Sequence, residues 1–377
     1  MIPERANLRF GHTRFVFGWG RSPELVSAAC GFGDRVLLVT SRSASGQTNI
    51  IDDLRSQFES RGRRTVHFAG VEPDPDVAML QRALPDAQDC DVIVGIGGGS
   101  VLDAAKALAV AAMSDLKPSE WLRRGTVGDE SPRKPLILVP TTAGTGSELS
   151  FGAILSDQSR QFKGGLRGSR LAPDVALVDP ALTVTAPPKL TAQTGFDIVT
   201  HAFESFVSRK ATSQSRMLSA QAVHLVQHSL SRALTDPTDR EARTCLSYAA
   251  SSMGLNLASV GTCLPHRLQY PIGGVMPESS HAQGLGWIYP TWIKHVYPHA
   301  AEDVADLMCL LGLPRPADAR EASDGMGRWL ESLGLSTRPP RQLDPAMLAD
   351  RVTGNLAADP IPEPESVLEA LYAEVFG

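Results

Sequence analysis

Asp197 and His201 stand four residues apart in the stretch from Thr194 to Ser205, which reads as helix. At that spacing two side chains leave the same helical face, one turn apart. A carboxylate and an imidazole so placed can grip one divalent cation. The same spacing also describes a surface ion pair or a cap, so the pair needs company. His266 and His281 offer it, standing at the ends of a Gly-rich connection that runs through Gly273 and Gly274. Three imidazole nitrogens and one carboxylate oxygen, with a substrate oxygen added, make a workable catalytic shell for Zn2+ or Fe2+.

The chain has nine histidines, and others share the spacing without the chemistry. His224 and His228 lie beside the apolar stripe of Val223, Val226, Leu230 and Leu234, and no carboxylate joins them. His295 and His299 are separated by Pro298, which is expected to interrupt the helix between them. His12 and His67 are single residues near predicted strands.

The elements that must carry such a site follow from the apolar pattern. Arg14–Phe17 reads as a strand. Ser22, Pro23 and Glu24 look like the N-cap, first position and first-turn acid of a helix. Arg35–Thr40 is a continuous apolar run, as in a parallel strand buried on both faces. Thr65–Phe68 is another strand, followed by a turn over 70–75 and a helix over 77–84. Asp91–Ile96 is a further buried strand. Gly97, Gly98, Gly99 and Ser100 follow at once, then an Ala-rich helix over 101–110. A strand, a run of glycines and a helix N-terminus make an anion site. Bare backbone N–H groups and the helix dipole face one point, and absent β-carbons let a phosphate approach. The run is not GxGxxG, and the GK[ST] ending of a P-loop is missing. Ser100 and Asp103 have the spacing of a capping box. After the strand 135–140, the hydroxylic loop Thr141–Glu148 lies where open α/β sheets bind ligands.

Alternating strands and helices to about residue 180 predict a doubly wound α/β domain with a parallel sheet. Past Asp179-Pro180 the pattern turns helical. Helices are expected over 193–208, 214–234, 239–257, 281–297, 300–311, 318–333, 345–353 and 364–376. The predicted domains are 1–182, α/β, and 183–377, all-helical. Of the 377 residues 42% are hydrophobic and 20% charged, with a net charge of −5, so no basic surface suggests nucleic acid. Apolar runs are too short for a membrane helix, and the N-terminus lacks a signal-peptide core. The five cysteines are scattered without a CxxC pair, as in a reduced, cytoplasmic protein.

Six segments in series resemble the iron-containing (group III) alcohol dehydrogenase family. They are GVEPDP at 70–75, CDVIVGIGGGSVLDAAK at 90–106, PTTAGTGSE at 140–148, DPALT at 179–183, TGFDIVTHAFESFVS at 194–208, and HRLQYPIGG at 266–274 with His281 beyond. The resemblance covers most of the chain. It implies a dehydroquinate synthase-like architecture, with the site in the cleft between a dinucleotide-binding domain and a helical metal-binding domain. It implies that Gly97, Gly98, Gly99 and Ser100 hold the cofactor pyrophosphate and that Asp103 belongs to the same motif. Thr141, Thr142 and Ser147 would line the cofactor, and Lys163 would lie near it. Asp197, His201, His266 and His281 match the family's four metal ligands. The implied activity is hydride transfer between NAD(P) and an alcohol, aldehyde or ketone, with one divalent metal, Fe2+ or Zn2+.

The chain departs from the family in three places. Where the family commonly has a His four residues after the third ligand, this chain has Tyr270, expected to lie on the His266 face and act as a hydrogen-bond donor to substrate. The loop to His281 is one residue longer than usual, and Ala282 follows in place of Gly. Where many NAD-using members carry an Asp after the second strand, Thr40 is followed by Ser41, Arg42 and Ser43. Ser41 lacks the charge that repels a 2′-phosphate and Arg42 could pair with one, which favours NADP(H). The rival readings are a maleylacetate reductase-like enzyme, suggested by Asn355–Pro362, a dehydroquinate synthase-like lyase using bound NAD, and a nucleotide-binding protein with a decayed site. The expected partner is a small alcohol or carbonyl compound, with no nucleic acid and no membrane; a homodimer is the assembly considered.

Overall fold

Continuous apolar runs build the first half of the molecule. The computed structural model describes residues 2–42 and 48–377. The strands are β1 (Arg5–Phe10), β2 (Thr13–Gly18), β3 (Arg35–Ser41), β4 (Arg64–Val71), β5 (Val92–Gly97), β6 (Leu136–Pro140), β7 (Gly152–Asp157), β8 (Phe162–Arg167) and β9 (Val175–Val178). Seven of them form one sheet in the order β1-β2-β9-β6-β5-β3-β4, while β7 and β8 pair as a separate antiparallel hairpin. Only the β1–β2 pairing in the large sheet is antiparallel. Every residue of β5 and β6 is buried, as expected for strands covered on both faces. The chain passes from β4 on one side of β3 to β5 on the other, so the crevice at their C-terminal ends is a topological switch point.

Helices α1 (Glu24–Cys30), α2 (Thr48–Glu59), α3 (Val77–Asp89), α4 (Gly99–Ala111) and α5 (Pro118–Arg124) accompany the sheet. Helix α4 lies very close to β5. A β-carbon on Gly97 would come within 2.5 Å of Val101 Cγ2, so glycine is needed for that approach.

The second half is helical: α6 (Pro188–Val207), α7 (Ser213–Thr235), α8 (Arg240–Ser259), α9 (Leu264–Val275), α10 (His281–Leu310), α11 (Ala319–Ser332), α12 (Pro345–Ala349) and α13 (Leu368–Phe376). Its core joins Phe196, Val199, Phe203, Leu268, Tyr289 and Trp292 from α6, α9 and α10. The two halves meet where the loop after β6 lands on α8. Gly146, at φ +60°, would drive a β-carbon to 2.4 Å from Ala250 O. No helix among the described residues is long and apolar enough to cross a membrane.

Several local expectations fail for identifiable reasons. The Ser100–Asp103 capping box does not form. Helix α4 is capped by Gly98 without a side-chain bond, and the Asp103 carboxylate instead accepts from Ser147 Oγ at 2.6 Å and Ile154 N at 2.8 Å. Ser22 is not the cap of α1; Pro23 is, and the Ser22 N–H donates to Asp179. The break expected at Pro298 falls two residues later, where Ala300 leaves helical geometry at φ −150° and divides α10 into two helices. The Gly-rich connection before His281 is mostly helix α9, whose packing outweighs the weak helical propensity of Gly273 and Gly274.

Candidate active site

Helix α6 is buried nearly all round, so polar residues on it must find partners inside the protein. Asp197, His201 and Glu204 recur at four and then three residues and so share one face. Helix α9 approaches that face with its N-terminus held by two carboxylates. Glu204 Oε2 accepts from Cys263 N at 2.8 Å, and Asp359 Oδ2 accepts from Leu264 N at 2.9 Å. This docking satisfies two helix-end donors and sets His266 against α6. His281 enters from the first turn of α10, where Ser280 Oγ accepts from Gln283 N.

The result converges on one oxygen. Asp197 Oδ1 lies 3.9 Å from His201 Nε2, 3.7 Å from His266 Nε2 and 3.7 Å from His281 Nε2. Ligand atoms of Asp197, His201 and His266 all fall within 4.8 Å of one another, a tight trio with His281 outside it. The His201 and His266 rings stack with centroids 4.6 Å apart. Two of the converging atoms, Asp197 Oδ1 and His266 Nε2, are buried without a hydrogen-bond partner. Buried polar atoms are rarely left so, and converging unpartnered donors of this chemistry fit a divalent cation. His281 is the most open of the four, its side chain 30% exposed.

Two further side chains orient the rings. His266 Nδ1 bonds to Glu204 Oε1 at 2.7 Å, and His281 Nδ1 to Gln269 Oε1 at 2.7 Å. Each contact turns Nε2 toward Asp197. Burial pushes the Asp197 carboxyl up, but the charges and hydrogen bonds of the surrounding imidazoles, His201 foremost, hold it well below the carboxylate range. Burial disfavours the His266 cation, yet Glu204 and Asp197 lift its pKa to about 10. His281 drops to about 3, through burial and the nearby Lys163 charge. Burial also lowers His201.

The glycine run expected to bind an anion lies at the β5–α4 junction. Gly98 leaves room where a β-carbon would stand 3.3 Å from Thr142 Oγ1, and Thr141 N donates to Gly97 O. Ser100 Oγ accepts from Asp74 N, and Asp74 Oδ1 accepts from Lys163 Nζ at 2.6 Å, tying the α4 N-terminus to β8. Asp103 and Ser147 are bonded to each other beneath this surface. Ser41 ends β3 opposite Val71, and Arg42 pairs with Glu72 at 2.8 Å on the exposed rim. Ser43 lies outside the described residues. Tyr270 is buried on α9, with the Arg267 guanidinium 5.7 Å from its ring centre.

Glu204, Gln269, Asp74 and Arg267 were not singled out from sequence. Glu204 was legible, because it continues the Asp197–His201 spacing by one more turn. Gln269 and Asp74 gain meaning only from neighbours far along the chain. The His224 and His228 rings lie tilted against each other with centroids 4.2 Å apart, and His295 pairs with Glu374, so neither set belongs to the site. All five cysteines are free.

The family model described as iron-containing alcohol dehydrogenase matches residues 12–180, and the C-terminal model of the Fe-containing alcohol dehydrogenase family matches 191–344. Long-chain-alcohol dehydrogenase 1 of Geobacillus thermodenitrificans (strain NG80-2) is 30% identical over 375 residues, covering 95% of this chain and 94% of that protein. NAD-dependent methanol dehydrogenase of Bacillus methanolicus is 30% identical over 262 residues, covering 69% and 68%. A solved iron-containing alcohol dehydrogenase from Thermotoga maritima matches with a TM-score of 0.84 at 26% identity, covering 99% of this chain and 100% of that one.

Proposed function

The chain belongs to the iron-containing alcohol dehydrogenase family, as a metal-dependent, NAD-linked alcohol oxidoreductase, and from that premise we propose that Asp197, His201, His266 and His281 hold its metal. The observation that carries this reading is the unpartnered Asp197 Oδ1 with three imidazole nitrogens around it. When bound, the metal supplies a Lewis acid for the substrate oxygen, and the nicotinamide gives or takes the hydride. The protein's residues do the positioning. Glu204 and Gln269 hold the His266 and His281 rings. Gly97, Gly98, Gly99 and Ser100 receive the pyrophosphate on backbone N–H groups, with Thr141 and Thr142 beside them. Asp103 and Ser147 brace that surface from below. Lys163, held by Asp74, stands where cofactor and metal regions meet. Three nitrogens and one oxygen suit both Fe2+ and Zn2+.

Ser41 and Arg42 favour NADP(H). Glu72 now holds Arg42, but an exposed ion pair is weak, and a 2′-phosphate can displace the carboxylate. Chelator-stripped protein given single metals, with NADH or NADPH and an aldehyde panel, tests both points. The expected result is one metal per chain, activity restored by Fe2+ or Zn2+, and a higher kcat/KM with NADPH. Full activity without metal overturns the ligand set, and a preference for NADH overturns the cofactor choice. Net consumption of coenzyme separates this reading from a lyase that recycles bound NAD.

Tyr270, one turn beyond His266, donates a hydrogen bond to the substrate oxygen in the reducing direction. Tyr270→Phe removes only the hydroxyl and should slow reduction about tenfold, with metal content unchanged. Unchanged kinetics would leave Tyr270 a packing role.

A further inference from the structure

Arg267 is only 5% exposed, and its Nε has no hydrogen-bond partner. Burying a guanidinium without a partner is costly, so an anionic ligand is the natural complement. No acid among the described residues forms an ion pair with Arg267 or with Arg167. Glu204, which shares the neighbourhood, already accepts from His266 and Cys263. Lys163 is neutralised by Asp74. The two arginines are left as the unbalanced charge.

The fold brings them together from different elements. Residues alternate along β8, so Lys163, Gly165 and Arg167 share one face. Gly165 carries no side chain there, and the Arg167 guanidinium lies back over it; a β-carbon on Gly165 would sit 3.5 Å from Arg167 Nε and Nη2. A β-carbon on Gly273 of α9 would sit 3.0 Å from Lys163 Cδ, so this face of β8 looks toward α9. Helix α9 presents His266, Arg267 and Tyr270 in succession. The backbone at Gly354 closes over Arg267 from the C-terminal side, leaving 3.3 Å between a β-carbon there and Arg267 Nε. Burial pushes the Tyr270 phenol up, but Arg267 and Arg167 outweigh it and bring its pKa below the ordinary value.

We propose that Arg267 and Arg167, beside Tyr270, bind a carboxylate of the substrate, so that the enzyme acts on a hydroxy-acid or oxo-acid anion. A guanidinium fork matches a carboxylate in two parallel hydrogen bonds. The placement of Arg267 next to His266 sets the reacting carbon and the carboxylate in one molecule, with Tyr270 one turn further along α9, its ring centre 5.7 Å from the Arg267 guanidinium. This deepens the oxidoreductase reading and rests on it for turnover.

The test uses metal-loaded enzyme with succinate semialdehyde and its uncharged methyl ester. Wild type should favour the acid in kcat/KM. In Arg267→Gln the acid-to-ester ratio should fall at least about 30-fold, mainly through KM, the scale of losing one partner of a buried charge pair. Arg267→Lys should recover part of the ratio. Arg167→Gln, at a half-buried strand position, should lower the ratio too and serves if Arg267→Gln does not fold. Succinate binding by calorimetry, weaker in both Gln variants, needs no turnover. It therefore separates loss of this site from failure of the oxidoreductase reading. A wild-type ratio near one, a ratio and succinate affinity unchanged in both variants, or a KM effect on the coenzyme alone would each overturn the proposal.

Discussion

His201→Ala should lose the bound metal and lower kcat/KM on the order of a thousandfold, the scale of removing electrostatic stabilisation from a reacting oxygen. His201 contributes one of the ligand atoms packed within 4.8 Å in the trio with Asp197 and His266. Its ring also fills the space against His266, stacked at 4.6 Å. Alanine leaves the Asp197 carboxylate with two imidazoles and a gap that water enters. Three donors around a partly hydrated cation bind weakly and misplace the substrate oxygen. Metal analysis after dialysis, kinetics and a melting curve on the same sample check this. Fully metal-loaded, active His201→Ala protein would sink the ligand set, and a folded protein without metal would support it.

Glu204→Gln should weaken metal affinity about 10- to 100-fold, the usual cost of losing a partner that orients a ligand. Glu204 Oε1 takes the His266 Nδ1 hydrogen, and Oε2 takes the Cys263 N–H. Both neighbours are donors. Glutamine has one acceptor and one donor group, so one of the two contacts becomes a clash between donors. A buried donor left unmade costs about 1–3 kcal/mol. If the amide oxygen turns to Cys263, His266 loses its orienting partner; if it turns to His266, the start of α9 shifts. Either way the metal trio loosens. Chelator competition measures the affinity, and thermal melting measures the stability. Lower stability with unaltered metal affinity would reduce Glu204 to a cap for α9.

Much of the site was legible because its chemistry follows local periodicity. Asp197 and His201 share a face by helix geometry alone, and Gly97–Ser100 sits between an apolar strand and an Ala-rich helix. These patterns need only a few neighbouring residues to be read. The failures lie where distant partners decide. Asp103 has cap spacing, but Ser147 in the loop after β6 and Ile154 of β7 offer its carboxylate two better donors. The stretch before His281 is rich in glycine, yet it becomes α9 because Glu204 and Asp359 cap its N-terminus from 59 and 95 residues away. Strands β7 and β8 carry glycines that blur their alternation.

By itself, then, the amino-acid order determined an α/β half followed by a helical half, a glycine run between β5 and α4, and the residue types able to hold a metal. Hydrophobic periodicity and backbone sterics act over a few residues and leave that record in the chain. Tertiary structure alone decided that three imidazole nitrogens meet at Asp197 Oδ1, that Glu204 and Gln269 aim two of them, and that Arg267 is buried without an acid. Those facts depend on distances between segments remote in sequence. No local spacing encodes them, because they arise only when α6, α9, α10 and β8 are packed together.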